Sequence, residues 1–156
     1  MATTRNVSYA NAGAHGLPAF EELDIYVDSN LTAGASPAIA RPNRILLGDS
    51  QTLAQYTVVG LSGGKLVKAT YNGTVGSAIK PVGVLMHAAT SGASNTTKYG
   101  EVSLGGCFNA GSDDAGADSP LVWDASFDTL AKKTTWEGVV GNPNLVFRSR
   151  LGANAS

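Results

Sequence analysis

The sequence predicts a mixed α/β domain that is predominantly β: a small compact β-rich domain with one short helix and an extended N-terminal arm. Three observations carry that expectation. From Ile45 onward, short apolar segments alternate with Gly, Asn, Ser and Pro, the rhythm of strands joined by tight turns. One stretch, Asp128–Glu137, has the flanking residues and length of a helix. Residues 1–44 are rich in Ala, Asn, Ser, Thr and Gly, punctuated by Pro18, Pro37 and Pro42. Such a segment buries too little apolar area to offset its own chain entropy. The expected division is an arm over 1–44 and a β-rich domain over 45–156.

Within the arm, Leu23, Ile25 and Val27 alternate with Asp24, Tyr26 and Asp28. Period two is the pattern of a strand with one apolar face. Such a strand adds to the sheet edge of another chain or pairs with this protein's own sheet; the pattern fits both. In the domain the expected strands are Arg44–Leu47, Tyr56–Leu61, Lys65–Thr70, Pro81–His87, Lys98–Leu104 and Leu145–Arg150. Ser62-Gly63-Gly64 reads as a tight turn, because glycine tolerates positive φ. Tyr71-Asn72-Gly73 and Thr90-Ser91-Gly92 are further turn signals. Pro81 opens its strand, where a missing N–H does least harm. For the helix, Asp124, Ser126 or Asp128 offers a cap and Gly138 suits the end. Thr134 and Thr135 are poor helix formers, which holds it to about two or three turns.

Composition narrows the function classes. In 156 residues, 15% are charged and the net charge is −1, so electrostatic nucleic-acid binding and a polybasic membrane anchor lack support. Cys107 is the single cysteine, which excludes a disulfide within the chain and a cysteine-rich zinc site. It reads as a small buried apolar residue. No basic region followed by an apolar stretch opens the sequence, and no apolar run approaches the roughly 18 residues of a membrane helix. The expected product is soluble and made in the cytoplasm.

Several motifs invite a chemical reading and a plainer one. Gly60-Leu61-Ser62-Gly63-Gly64 matches the G-x-S-x-G nucleophile elbow, but that motif needs a helix after the serine, and Lys65–Thr70 reads as a strand. A hydrolase using Ser62 and His87 is thus a remote alternative to a hairpin turn. His15 and His87 are the only histidines, and one lies in the arm; a zinc or iron site needs three or four convergent ligands. Asp113, Asp114 and Asp118 share a Gly/Ser loop without calcium-loop spacing, so a solvated loop is expected. Glu21 and Glu22 are adjacent and do not form an acid/base pair by proximity. Asn6, Asn30, Asn72 and Asn95 begin N-x-S/T sequons, which carry no glycan meaning without a secretory signal. Lys132 and Lys133 suit a solvated helix face or an acidic partner. Trp123 and Trp136 are core residues or the anchors of a subunit interface. The small core and the flanking lysines favour at least one near an interface. No cofactor is implied.

One resemblance draws these segments together. Lys65-Leu66-Val67 is followed by Pro81-Val82-Gly83-Val84-Leu85, then Glu101-Val102-Ser103-Leu104 and Gly106-Cys107-Phe108-Asn109. Leu121-Val122-Trp123, Asp128-Thr129-Leu130-Ala131-Lys132-Lys133 and Trp136-Glu137-Gly138 precede a final apolar strand. In order and spacing this resembles the lambda-type head decoration proteins of tailed phages, over roughly the last two thirds of the chain. Two features depart from that pattern: the arm and loops are longer than in the smallest members, and Trp136 stands where a smaller aromatic is usual. The resemblance implies a homotrimeric capsid cement on the outer surface of the virion head, partnered by the major capsid protein. The arm, with Leu23, Ile25, Tyr26 and Val27, would engage the capsid; Trp123 and Trp136 are candidate trimer contacts. Another β-rich virion module, from a tail or fibre base, is the alternative within structural proteins.

Overall fold

In the computed structural model, residues 30–71, 78–134 and 144–149 are described. Among the described residues the fold is predominantly β with one short helix. In chain order the elements are β1 Asn43–Leu46, β2 Thr52–Leu53, β3 Val58–Ser62, β4 Lys65–Lys68, β5 Pro81–Leu85, β6 Ala89–Thr90, β7 Tyr99–Ser103, β8 Gly106–Asn109, α1 Leu130–Thr134 and β9 Leu145–Arg148.

Five strands form an antiparallel sheet in the order β1-β7-β5-β3-β4. The sheet curls until its edges meet at one end: Leu47 makes a parallel bridge to Leu66 of β4, and the Gly48 N–H donates to the Leu66 carbonyl at 2.6 Å. This small barrel-like curl encloses Leu47, Leu53, Val59, Leu66, Leu85 and Val102. Gly100 keeps that interior from overfilling, since a Cβ there would lie 2.9 Å from Leu85 and 3.1 Å from Leu66.

The other face of the sheet carries a second core. Val58 and Val84 turn toward Leu31, Phe108, Leu121, Phe127, Leu145 and Phe147, while their neighbours Val59 and Leu85 turn inward. Successive side chains on a strand point to opposite faces, so central strands β3 and β5 need apolar residues at consecutive positions. That is why Val58-Val59 and Val84-Leu85 are unbroken apolar pairs. β3 shifts register by a bulge at Val59/Gly60, where a Cβ on Gly60 would overlap the Lys80 carbonyl.

Over the second core lie β8 and β9, paired in parallel from Gly106↔Leu145 to Asn109↔Arg148. The outer side of β8 is covered by residues 30–40. Thr32 bridges Phe108 antiparallel, Ala33 N–H donates to the Cys107 carbonyl (3.0 Å), and Cys107 and Asn109 N–H groups donate to the carbonyls of Pro37 and Leu31 (both 2.9 Å). Composition assigns this stretch to the arm, yet Leu31 is only 1% exposed and belongs to the core. Leu31 and the partly buried Ile39 carry that packing, too sparse a signal for periodicity to register.

The Ser62–Lys65 hairpin turns as expected, with Gly63 and Gly64 at φ 57° and 78°. The strand pair β2–β6 is not anticipated, because two residues hold no period. The helix begins at Leu130, two residues later than expected, and the expected caps do not hold its first amide. Asp114 does, accepting from Leu130 N–H at 2.7 Å. A partner 16 positions upstream lies beyond any local capping rule.

Candidate functional site

Of the residues singled out from sequence, Leu23, Ile25, Tyr26, Val27 and Trp136 lie outside the described residues, as do His15, Glu21, Glu22, Asn6, Asn72 and Gly138. The others occupy separate places. Ser62 sits on the exposed hairpin tip, followed by strand β4 and not by a helix. His87 is exposed just past β5, its Nε2 3.5 Å from a Glu101 carboxylate oxygen. Cys107 is buried in β8. Among the described residues no three His, Cys, Asp or Glu side chains converge to hold a metal. No helix among them is long and apolar enough to cross a membrane.

Trp123 lies at the centre of an aromatic cluster. Its ring is 4.8 Å from Phe127 and 5.0 Å from Phe147 by centroids, the latter edge-on. Phe127 meets Tyr71 edge-on at 5.7 Å, and the Lys132 ammonium stands 5.2 Å over the Tyr71 ring. Such edge and tilted contacts suit the ring quadrupoles. Trp123 itself is half-buried. Its indole Nε1–H is buried without a hydrogen-bond partner among the described residues. The cluster thus joins the loop 119–128, α1 and β9 into one face. Its edge is set by Asp124, which accepts from the N–H and hydroxyl of Ser126 (3.0 and 2.7 Å). Those bonds, with Lys68 at 3.9 Å, hold the Asp124 carboxyl below the usual carboxylate range.

Two buried amides that the sequence reading passed over organise the loops. Asn95, noted only as a sequon, is 4% exposed. Its Nδ2 donates to the carbonyls of Leu47 (2.8 Å) and Lys98 (2.9 Å), and its Oδ1 accepts from Lys98 N–H at 2.9 Å. Its own N–H donates to Asp49 (2.8 Å), which also pairs with Lys65 at 2.9 Å. The Lys65 bond, and then the Asn95 amide, lower the Asp49 pKa. Ser91 completes the clasp, donating to the Gly48 carbonyl and accepting from Gln51 N–H.

Asn109, at the end of β8, is fully buried. Its Nδ2 donates to Asn30 (2.9 Å) and Asp118 (2.6 Å) carbonyls, and its Oδ1 accepts from Gly111 N–H at 3.0 Å. The acidic loop that follows is more than a solvated turn. Lys133, 3% exposed, donates its ammonium to the Asp114 carbonyl at 2.7 Å, and Gly116 leaves the space it enters. Lys132 instead pairs with Asp128 at 2.6 Å on the outside of α1, and that bond lowers the Asp128 pKa. Adjacent lysines on a helix point in different directions, so one is core and one is surface.

Comparison of the chain with protein-family models, with curated proteins and with solved structures returns no match in any of the three.

Proposed function

We propose that this chain is a structural head decoration protein of a tailed phage, a trimeric cement on the outer surface of the expanded capsid. The observation that carries the reading is where the resembling segments fall. Gly106–Asn109, Leu121–Trp123, the helix and the final strand pack around Phe108, Phe147 and Trp123. Segments scattered over about forty positions thus make one body, as a shared fold requires. The buried polar groups Asn95, Asn109, Ser91, Ser103 and Lys133 are committed to backbone carbonyls and amides, work that shapes a rigid block.

The mechanism is preferential binding. A trimer presents three arms, and linked weak contacts gain through effective concentration. Threefold symmetry matches a threefold lattice position without strain. Binding the expanded lattice better than the unexpanded one stabilises the expanded form by linkage, against reversal and against internal DNA pressure. In this scheme Leu23, Ile25, Tyr26 and Val27 supply the arm contact with the major capsid protein.

The test is co-sedimentation of the purified protein with decoration-free heads of its own phage, expanded against unexpanded. Saturable binding to expanded heads alone is the expected result. Binding to neither form would remove the cement role and move the protein to a tail or fibre-base position.

A further inference from the structure

We propose that residues 30–40 form a strap that is conformationally coupled, through Asn109, to the acidic loop and helix α1 more tightly than to the Asn95–Ser91 clasp of the barrel. The inference concerns the free protein and stands apart from the capsid reading.

The two Nδ2 hydrogens of Asn109 are divided between the Asn30 carbonyl of the strap and the Asp118 carbonyl of the loop. Its backbone N–H donates to Leu31, and its carbonyl accepts from the Ser119 hydroxyl. Strap and loop are therefore fixed by the same buried residue. If the strap lifts, one Nδ2 hydrogen of Asn109 loses the Asn30 carbonyl as its acceptor, and exchanging that bond for others costs free energy. The Leu31 side chain also leaves the core that Phe108 and Phe147 share. The amide then turns to recover its bonds, and its hold on Gly111 and Asp118 loosens.

The second link runs from loop to helix. Asp114 accepts from the first helical amide, Leu130, and takes the Lys133 ammonium on its carbonyl. A loop that shifts carries α1 with it. The barrel has its own clasp, Asn95 and Ser91 on residues 47–51, and none of those bonds involves the strap; the strap meets the sheet elsewhere, where Ser103 of β7 donates to the Ala40 carbonyl and Leu31 packs on Val58 and Val84. Coupling free energies are reciprocal, so loosening the loop must also loosen the strap.

Amide hydrogen exchange of the full chain, residue by residue, tests this in both directions. Leu31→Ala should speed exchange about thirtyfold at Ala33 and Cys107, and several-fold at Gly111 and Leu130, with Gly48 and Ser91 at their parent rates. Asp114→Ala changes an exposed residue and should speed Ala33 about threefold to fivefold. Acceleration by Leu31→Ala confined to the strap and β8, or an unchanged Ala33 in Asp114→Ala, overturns the coupling. Uniform acceleration that includes Gly48 overturns it equally, because strap and barrel would then open together.

Discussion

Replacing Gly83 with alanine should be among the most damaging single-methyl changes in this domain. Gly83 lies in β5, between Val82 and Val84. A Cβ there would overlap the Ser103 carbonyl oxygen of β7 and stand 2.5 Å from Val102 Cγ1. Ordinary carbon contacts sit at about 3.5–4.0 Å, so the strands must part by roughly 1 Å. The Val102 methyl can turn aside, but the backbone carbonyl cannot. β5 and β7 are registered through Val84↔Ser103 and Leu85↔Val102, which follow directly on the site. Overpacking costs about 1–3 kcal/mol, and a weakened ladder bond adds about 1 kcal/mol. Against this, alanine recovers about 0.4–1 kcal/mol of unfolded-state entropy. The net expectation is a loss of about 2 kcal/mol, or roughly 10 °C in Tm for a folded body of about 100 residues. Gly92→Ala is the control: nothing lies within 4 Å of its Cβ position, so the entropic term acts alone and the variant should match or slightly exceed the parent. Urea unfolding with an unchanged slope separates the two variants. A Gly83→Ala midpoint within about 0.5 kcal/mol of Gly92→Ala would refute the packing argument.

Asn95→Ala should cost about 2–3 kcal/mol, because the Leu47 and Lys98 carbonyls lose their buried donor; thermal melts check it. Trp123→Ala should cost about 3 kcal/mol through the hole left between Phe127 and Phe147. Trp123→Phe should cost only about 1 kcal/mol, since it also removes an unpartnered buried N–H; equal losses in chemical denaturation would mean that the N–H does find a partner. Asp49, Asp124 and Asp128 all have folded pKa values below their ordinary ones. A depressed carboxylate contributes stability above its unfolded pKa and loses it as pH falls through the folded value. The Tm should therefore hold steady down to about pH 4 and decline below it, and Asp124→Asn should flatten the decline. Replacing Leu23, Ile25 and Val27 together with Asp or Ser should weaken capsid co-sedimentation while the melting curve stays that of the parent; unchanged capsid affinity would sink the arm assignment.

How much of this could be read from the chain depended on distance. The main strands were legible because β3, β4, β5, β7 and β9 each carry their apolar residues locally, and Ser62-Gly63-Gly64 announces its own turn. β2 and β6 were not, because their pairing is two residues long and is fixed by Ser91 and Gln51 from separate segments. The helix was legible in kind but not in its start, which Asp114 sets from 16 residues away. Leu31 was hidden for the same reason: its partner strand lies more than seventy positions downstream. Asn95, Asn109 and Lys133 have identities that are ordinary at a protein surface. Only the carbonyls gathered around them, from remote parts of the chain, make them core residues.

The parallel pairing of β8 with β9 also has a consequence for synthesis. Residues 106–109 leave the ribosome well before residues 145–148 do. In that interval Phe108 lacks the Phe147 ring beside it, and the second core lacks Leu145. A nascent chain halted upstream of Leu145 therefore keeps apolar surface open to chaperones and proteases. Translation through β9 is what closes the core.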